Sequence, residues 1–384
     1  MATGKSIHGN GTARARTSNR QAVLGRIQSA GQMGRAEIAR ALGLSTQAVS
    51  NIIAELEDDG LLFEVGTRSA GRGLPAVQYG VNAQGGYALG IEIRPDAVFA
   101  ALVDLQGQPA ATRRHALKNT KPEKLVSKVV KLRDDMLSTA GIDLGKLLGA
   151  GVVIPGPFGH TGLSGLGSDL DGWQDFDAQV LFEDALGVPV EFSNDANAAA
   201  MSERIARGLS NFAYLYFGAG LGLGLIHHGQ LITGAYGNAG EIGHVQINTP
   251  NGPASLERQL SRVALQTHMG AETILDVKAI DRLFASSDSV LMEWLENGAA
   301  ALSQAVGLIE NMFDPQTVVL GGAMPETVLD HLVRQTTLPA LSVSNRADNT
   351  LPRLQRGTCG PMTATKGAAS LILNRAFTPQ LAIL

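Results

Sequence analysis

Cysteine is nearly absent: one residue, Cys359, in 384 excludes an internal disulfide and any metal site built from several thiolates of one chain. No apolar run approaches the roughly 18 residues needed to cross a bilayer. The opening stretch, residues 1–20, carries basic residues with no apolar core behind them, so it does not read as a secretory signal. Charged residues are sparse at 17% against 44% hydrophobic, which suits a globular chain with substantial cores. The length fits two or three domains, and cytoplasm is the expected compartment.

What charge there is lies unevenly. Residues 1–80 hold nine Lys/Arg and six Asp/Glu, a net +3, while the remainder carries 22 basic and 29 acidic residues, a net −7. A basic module on an acidic body points to a polyanion at the first part only, although a solvated surface carries a bias of this size equally well.

Within that module, Val23, Leu24 and Ile27 form an apolar face at helical spacing that Gly31 ends. A second helix over residues 35–42 turns Ile38, Ala39 and Leu42 inward, and Gly43-Leu44 makes a tight turn. Ser45 then fits the N-cap of a third helix, residues 46–59, with Val49, Ile52, Ile53 and Leu56 inside. A short helix, a glycine turn and a helix opening on small polar residues is the helix-turn-helix pattern. Its outward side chains, Thr46, Gln47, Ser50 and Asn51, suit phosphate and base-edge contacts in a major groove, with Ser45 a cap rather than a reader. A plain three-helix bundle is the alternative. Against it, residues 61–65 and 77–80 read as two strands around a wing whose Gly71-Arg72-Gly73 tip suits Arg72 to a minor groove and Arg68 to phosphate. Residues 20–80 are therefore expected to be a winged helix-turn-helix that binds operator DNA. Residues 1–19 are expected as a disordered tail in which Arg14 and Arg16 are further phosphate candidates, and residues 81–86 as a linker, with Val81–Gln84 the hinge.

From Tyr87 onward strands alternate with helices. Residues 87–93 and 97–103 read as a hairpin, 125–140 as an amphipathic helix and 148–154 as a buried strand; 212–217 and 317–320 are two further strands that end in glycines. The expectation is an α/β body with ligand loops at the strand ends.

Six motifs stand here in order: Val153-Ile154-Pro155-Gly156-Pro157, Gly172-Trp173, Asn194-Asp195-Ala196, the glycine loop 218–224, Ala239-Gly240-Glu241-Ile242-Gly243-His244, and Val319-Leu320-Gly321-Gly322. In this order they resemble the ROK (repressor, ORF, kinase) family of sugar kinases and repressors. With the winged helix in front, the chain is similar to that family's NagC/XylR-type regulator branch. The resemblance implies a two-lobed actin/hexokinase-like (ribonuclease H-like) fold over residues 87–384. It also implies that Asn194, Asp195, Glu241, His244 and Glu257 hold sugar hydroxyls, with Gly156 allowing close backbone approach. Asp195 matches the general base of the kinase relatives.

Two departures from the family pattern bear on function. The relatives' Asp-x-Gly-Gly-Thr loop, whose glycines let backbone N–H groups reach ATP phosphates, is replaced by Glu92-Ile93-Arg94-Pro95-Asp96, and Ala219 stands where the family usually has Thr. Phosphoryl transfer is therefore not expected, and Asp195 is read as a vestigial base. The relatives' cysteine-rich zinc loop is replaced by residues 245–257, which contain no cysteine, so neither zinc nor another cofactor is expected. Together these imply a repressor of carbohydrate genes that responds to a monosaccharide or sugar derivative, with activation the alternative sign. A palindromic operator implies a homodimer or homotetramer, nucleoid-associated when bound, and no membrane partner. The rival readings are an active ATP-dependent sugar kinase with a DNA-binding appendage, and a regulator whose partner is another protein.

Overall fold

The computed structural model describes residues 8–68, 75–94, 97–118, 120–154, 156, 178–358, 360 and 362–379. Helix α1 (His8–Ala30) ends at Gly31, whose φ of +77° is the left-handed stop expected there. It begins inside the segment 1–19 expected to be disordered. On these turns Arg16 and Arg20 pair with Glu55 of the third helix and, for Arg20, with Asp59 just past its end. Strand β1 (Met33–Gly34), α2 (Arg35–Leu42) and α3 (Thr46–Asp58) follow, and the inner faces read from spacing, from Val23 to Leu56, are buried together. Strands β2 (Leu62–Arg68) and β3 (Ala76–Val81) complete a three-stranded antiparallel sheet of order β1-β3-β2. The β2–β3 ladder slips between Glu64 and Gly66, a bulge that bends the wing. Its tip, Arg72 included, lies outside the described residues.

The body has two lobes of one topology. In the first, β4 (Tyr87–Ile93), β5 (Ala97–Asp104) and β6 (Pro109–Ala116) form an antiparallel meander. After α4 (Pro122–Ala140), β7 (Leu147–Val153) adds parallel to β4, and after α5 (Ala178–Leu186), β8 (Val190–Ser193) adds parallel to β7. Helix α6 (Asp195–Arg207) leads to the second lobe, where β9 (Phe212–Phe217), β10 (Leu221–His227) and β11 (Gln230–Leu231) repeat the meander. A hairpin, β12 (Gln246–Thr249) and β13 (Gly252–Ser255), and helices α7 (Arg262–His268), α8 (Val277–Ala285) and α9 (Ser289–Phe313) come next. Strands β14 (Val318–Gly322) and β15 (Leu354–Arg356), with α10 (Glu326–Gln335) between them, add parallel, so both sheets run third, second, first, fourth, fifth strand. This is the two-lobed actin/hexokinase-like, ribonuclease H-like architecture.

The closing helix α11 (Thr363–Phe377) packs against α6 where the lobes join. Small residues make the approach close: a Cβ on Gly367 would lie 1.8 Å from the Ala198 carbonyl oxygen. The other end of α11 reaches the winged helix. Leu373 and Phe377 share one buried cluster with Val23, Leu24 and Ile27 of α1 and with Ala101, Val103 and Leu105 of the first lobe. Burying large side chains of this kind contributes about 1.5–3 kcal/mol each. The Gln21 amide also donates to the Arg375 carbonyl at 2.8 Å.

Segment 81–86, expected as a linker with Val81–Gln84 its hinge, is held on both sides. Val81 pairs with Leu62, Asn82 Nδ2 donates to the Gly60 carbonyl at 2.8 Å, and the Leu105 N–H donates to the Ala83 carbonyl at 3.0 Å. The winged helix is seated on the body rather than tethered to it.

Candidate functional site

Two surfaces carry the chemistry. On the winged helix, Ser45 Oγ accepts from the Ala48 N–H at 3.1 Å, the N-cap that spacing suggested. Thr46, Gln47 and Asn51 are exposed and Ser50 is half-buried, all along the opening turns of α3. Gln47 Nε2 donates to Asn51 Oδ1 at 3.0 Å, which lines the two amides up along one helix edge. Arg68, expected at phosphate, pairs with Glu37 of α2. Arg16 is likewise paired, with Glu55.

The second surface is the cleft between the lobes, about 1980 Å³ in volume. All six residues expected at the ligand line it: Gly156, Asn194, Asp195, Glu241, His244 and Glu257. Asn194 caps α6, its Oδ1 accepting from the Asn197 N–H at 2.8 Å, so only its amide nitrogen remains to donate. Asp195 Oδ1 accepts from the Ala196 N–H at 2.8 Å. Burial, and next the charge of Glu92, push the Asp195 carboxyl up to about 6, against the Ala196 N–H and Arg94, which favour its ionised form.

His244 stands between two carboxylates, with Nε2 3.7 Å from Glu241 Oε2 and Nδ1 3.8 Å from Glu257 Oε1. Burial and then Glu257 raise the Glu241 pKa, with His244 opposing. Three polar side chains that converge in this way, with spare lone pairs, suit a polyhydroxylated ligand. The hairpin β12–β13 holds Glu257 in place of the relatives' zinc loop: Ile247 is buried in the second lobe's core, and Gln304 of α9 bonds both the N–H and the carbonyl of Asn248. Among the described residues no cluster of three or more His, Cys, Asp or Glu is placed to hold a metal ion, and none of their helices is long and apolar enough to cross a membrane.

Sequence reasoning read Arg94 as bulk and passed over its partner. Glu92 is buried; its Oε1 accepts Arg94 Nε at 2.7 Å and lies 2.7 Å from Nη2, while Oε2 accepts from Thr365 Oγ1 of α11 at 2.6 Å. The Arg94 guanidinium lies over the Phe99 ring, 4.3 Å from its centroid. Burial works against its charge, but Glu92 outweighs that and raises its pKa. The spacing carries a signal, since Arg94 directly follows β4 and extended residues two apart share a face. Pro95, on which the loss of the phosphate loop was also argued, lies outside the described residues, as do Cys359, Pro155, Pro157, Gly172 and Trp173. Tyr216, missed as well, is buried beside Glu92 and Asp195, where burial first and then those carboxylates raise its hydroxyl well above the ordinary value.

A reader of the winged-helix type seated on a two-lobed sugar-kinase-like body defines a class of proteins that combine a DNA-binding head with a kinase-like fold. The ROK family model matches residues 88–375, and a MarR family model matches residues 22–73. The chain belongs to the ROK family. It is 26% identical over 320 residues to the xylose repressor of Bacillus subtilis, covering 80% of this chain and 83% of that one. It is 23% identical over 358 residues to the DNA-binding transcriptional repressor Mlc of Escherichia coli, covering 85% and 87%. A solved ROK family transcriptional regulator, a homologue of the E. coli protein, superposes with a TM-score of 0.74 at 19% identity over 95% of this chain and 98% of that one.

Proposed function

We propose that this chain is a DNA-binding transcriptional regulator, a repressor in sign, whose operator affinity is set by a sugar or sugar derivative held in the interlobe cleft. The observation that carries the reading is one helix, α11, that touches both the cleft and the winged helix. Thr365, near the start of α11, bonds Glu92 in the cleft, and Phe377, at its end, packs under α1 of the winged helix. A ligand that prefers the closed lobes shifts α6 against α11, and α11 carries that shift to the reader without a flexible hinge. In the repressing state, Gln47 and Asn51 contact base edges while Thr46 and Ser50 position the helix on phosphate. A second copy related by a two-fold axis supplies the other half-site.

Phosphoryl transfer is not part of this reading. The Arg94–Glu92 pair fills the strand end beside Asp195 with a fixed cation. The one feature on the side of a kinase is Asp195 itself, with its raised pKa at the mouth of α6. Thermal unfolding against a panel of monosaccharides, sugar alcohols and sugar phosphates, with and without Mg-ATP, separates the readings. A ligand at a hundred times its Kd stabilises the native state by about 2.7 kcal/mol. A shift with one sugar and none with Mg-ATP supports the sensor. A shift with Mg-ATP, followed by phosphorylated sugar in the product, establishes the kinase.

A further inference from the structure

We propose that Glu37, in the first turn of α2, is a positioning residue for operator binding: it holds Arg68 of β2 and so fixes the angle at which the wing strands meet the DNA. This rests on the reading of the winged helix as the DNA-binding head. Glu37 is committed at both oxygens. Its Oε2 accepts from the Gly34 N–H at 2.9 Å, the backward bond of a helix start, and its Oε1 pairs with Arg68. Gly34 is held in turn by β3. It pairs with Gln78, and a Cβ there would lie 2.9 Å from Gln78 Nε2 and 3.3 Å from the Val77 carbonyl oxygen. On its other side β3 pairs with β2, whose last residue is Arg68. The contacts therefore close into a ring, from Glu37 through Gly34, β3 and β2 back to Glu37.

The wing strands need such a closure. Strand β1 supports β3 only at Gln78 and Tyr79, so the outer pairs Thr67–Val77 and Arg68–Ala76 stand beyond the three-stranded part of the sheet. The slip between Glu64 and Gly66 lies at that junction, with Gly66 at φ +144°, a conformation glycine adopts and other side chains resist. A two-stranded ribbon is weak by itself, and one that leaves a bulge swings there unless something beyond the bulge ties it down. Arg68 is beyond the bulge and Glu37 is on the helix, so their pair sets the angle. Charge argues the same way. A bare carboxylate near the phosphates opposes DNA, and Arg68 cancels that charge. Both side chains are partly exposed, so the pair adds little to folding and its effect falls on binding. Arg68 thus acts through Glu37 rather than as a phosphate ligand.

The test uses the full chain and a duplex that the wild-type chain itself selects from a random-sequence library, with binding followed by fluorescence anisotropy over a range of salt. E37Q keeps an oxygen for the Gly34 N–H and loses the charge, so its circular dichroism and unfolding midpoint should match wild type, as should those of R68Q. The expected result is that E37Q and R68Q each weaken the duplex about fivefold, while the double variant loses no more than either alone. The salt slope stays that of wild type, and R68K, which keeps the charge, retains most of the affinity. Removing a carboxylate near phosphates would by itself tighten binding, so an E37Q chain that binds as well as wild type or better overturns the proposal. R68Q weakened alone, with a salt slope lower by about one per bound head, makes Arg68 a phosphate contact and overturns it as well. Losses that add in the double variant do the same. A wild-type chain that retains no duplex from the library overturns the DNA-binding reading of the head, and the proposal with it.

Discussion

Gly25 is the point at which the coupling of reader to sensor is most exposed to test. It lies within α1, where a glycine-to-alanine change on its own stabilises a helix by about 1 kcal/mol. Here the new Cβ would stand 2.0 Å from the carbonyl oxygen of Phe377 and 3.0 Å from its carbonyl carbon. An ordinary contact needs about 3.4 Å or more, so α1 must retreat from α11 by more than about 1 Å. The obstacle is backbone on both sides, which no rotamer change relieves, so the cost falls at the upper end of the roughly 1–3 kcal/mol for overpacking. Against the helix-propensity gain the net loss is about 2 kcal/mol, or several degrees in Tm. Differential scanning calorimetry reads it. Wild type, with one apolar cluster shared by reader and body, unfolds with the two coupled, and a cleft ligand raises the whole transition. In G25A the reader unfolds earlier, and the ligand raises the body's transition alone. G145A, where an added Cβ meets nothing within 4 Å, is the control and stays within about 0.5 kcal/mol of wild type. A G25A protein that is as stable as wild type and still carries ligand stabilisation into the reader refutes the coupling.

Asp195 predicts a pH dependence. Its folded pKa of about 6, above the ordinary 3.8, means that its contribution to stability is full below about pH 4 and lost as pH rises through 6. D195N removes that loss, so urea titrations should find it more stable than wild type above pH 7 by on the order of 3 kcal/mol, with the difference gone near pH 4. S45A loses the cap on α3 and should cost about 1 kcal/mol in stability together with weaker DNA binding, read by chemical denaturation and fluorescence anisotropy. E241Q and H244A should each weaken sugar binding tenfold or more, about 1.4 kcal/mol, in calorimetric titration while operator binding without sugar stays intact.

Much of this was legible in the residue order. The inner faces of the first three helices, the Ser45 cap and the paired lobe strands follow from spacing, because burial on one face leaves a periodic trace. The gathering of Glu241, His244 and Glu257 was legible through family resemblance rather than spacing. Other features leave no such trace. The seat of the reader on the body depends on Gly25 meeting a backbone carbonyl some 350 positions away, and a glycine alone says nothing of its neighbour. The early start of α1 falls in a segment whose polarity reads as a tail, and the ion pairs of Arg16 and Arg20 to the third helix and its end join residues some forty positions apart. Asn194 was read for the ligand, yet its carbonyl oxygen caps α6, a local bond that asparagine makes readily. Arg94 stands out by size alone, while its partner Glu92 lies two residues earlier, near the end of β4.

Operator binding by the full chain, followed by fluorescence anisotropy across the sugar and sugar-phosphate panel at fixed salt, tests the central claim most directly. The account predicts that one sugar or sugar ester releases the DNA, raising its Kd tenfold or more at saturation. It also predicts that E241Q, H244A and G25A each blunt that response. DNA affinity unmoved by a ligand that demonstrably fills the cleft would contradict it.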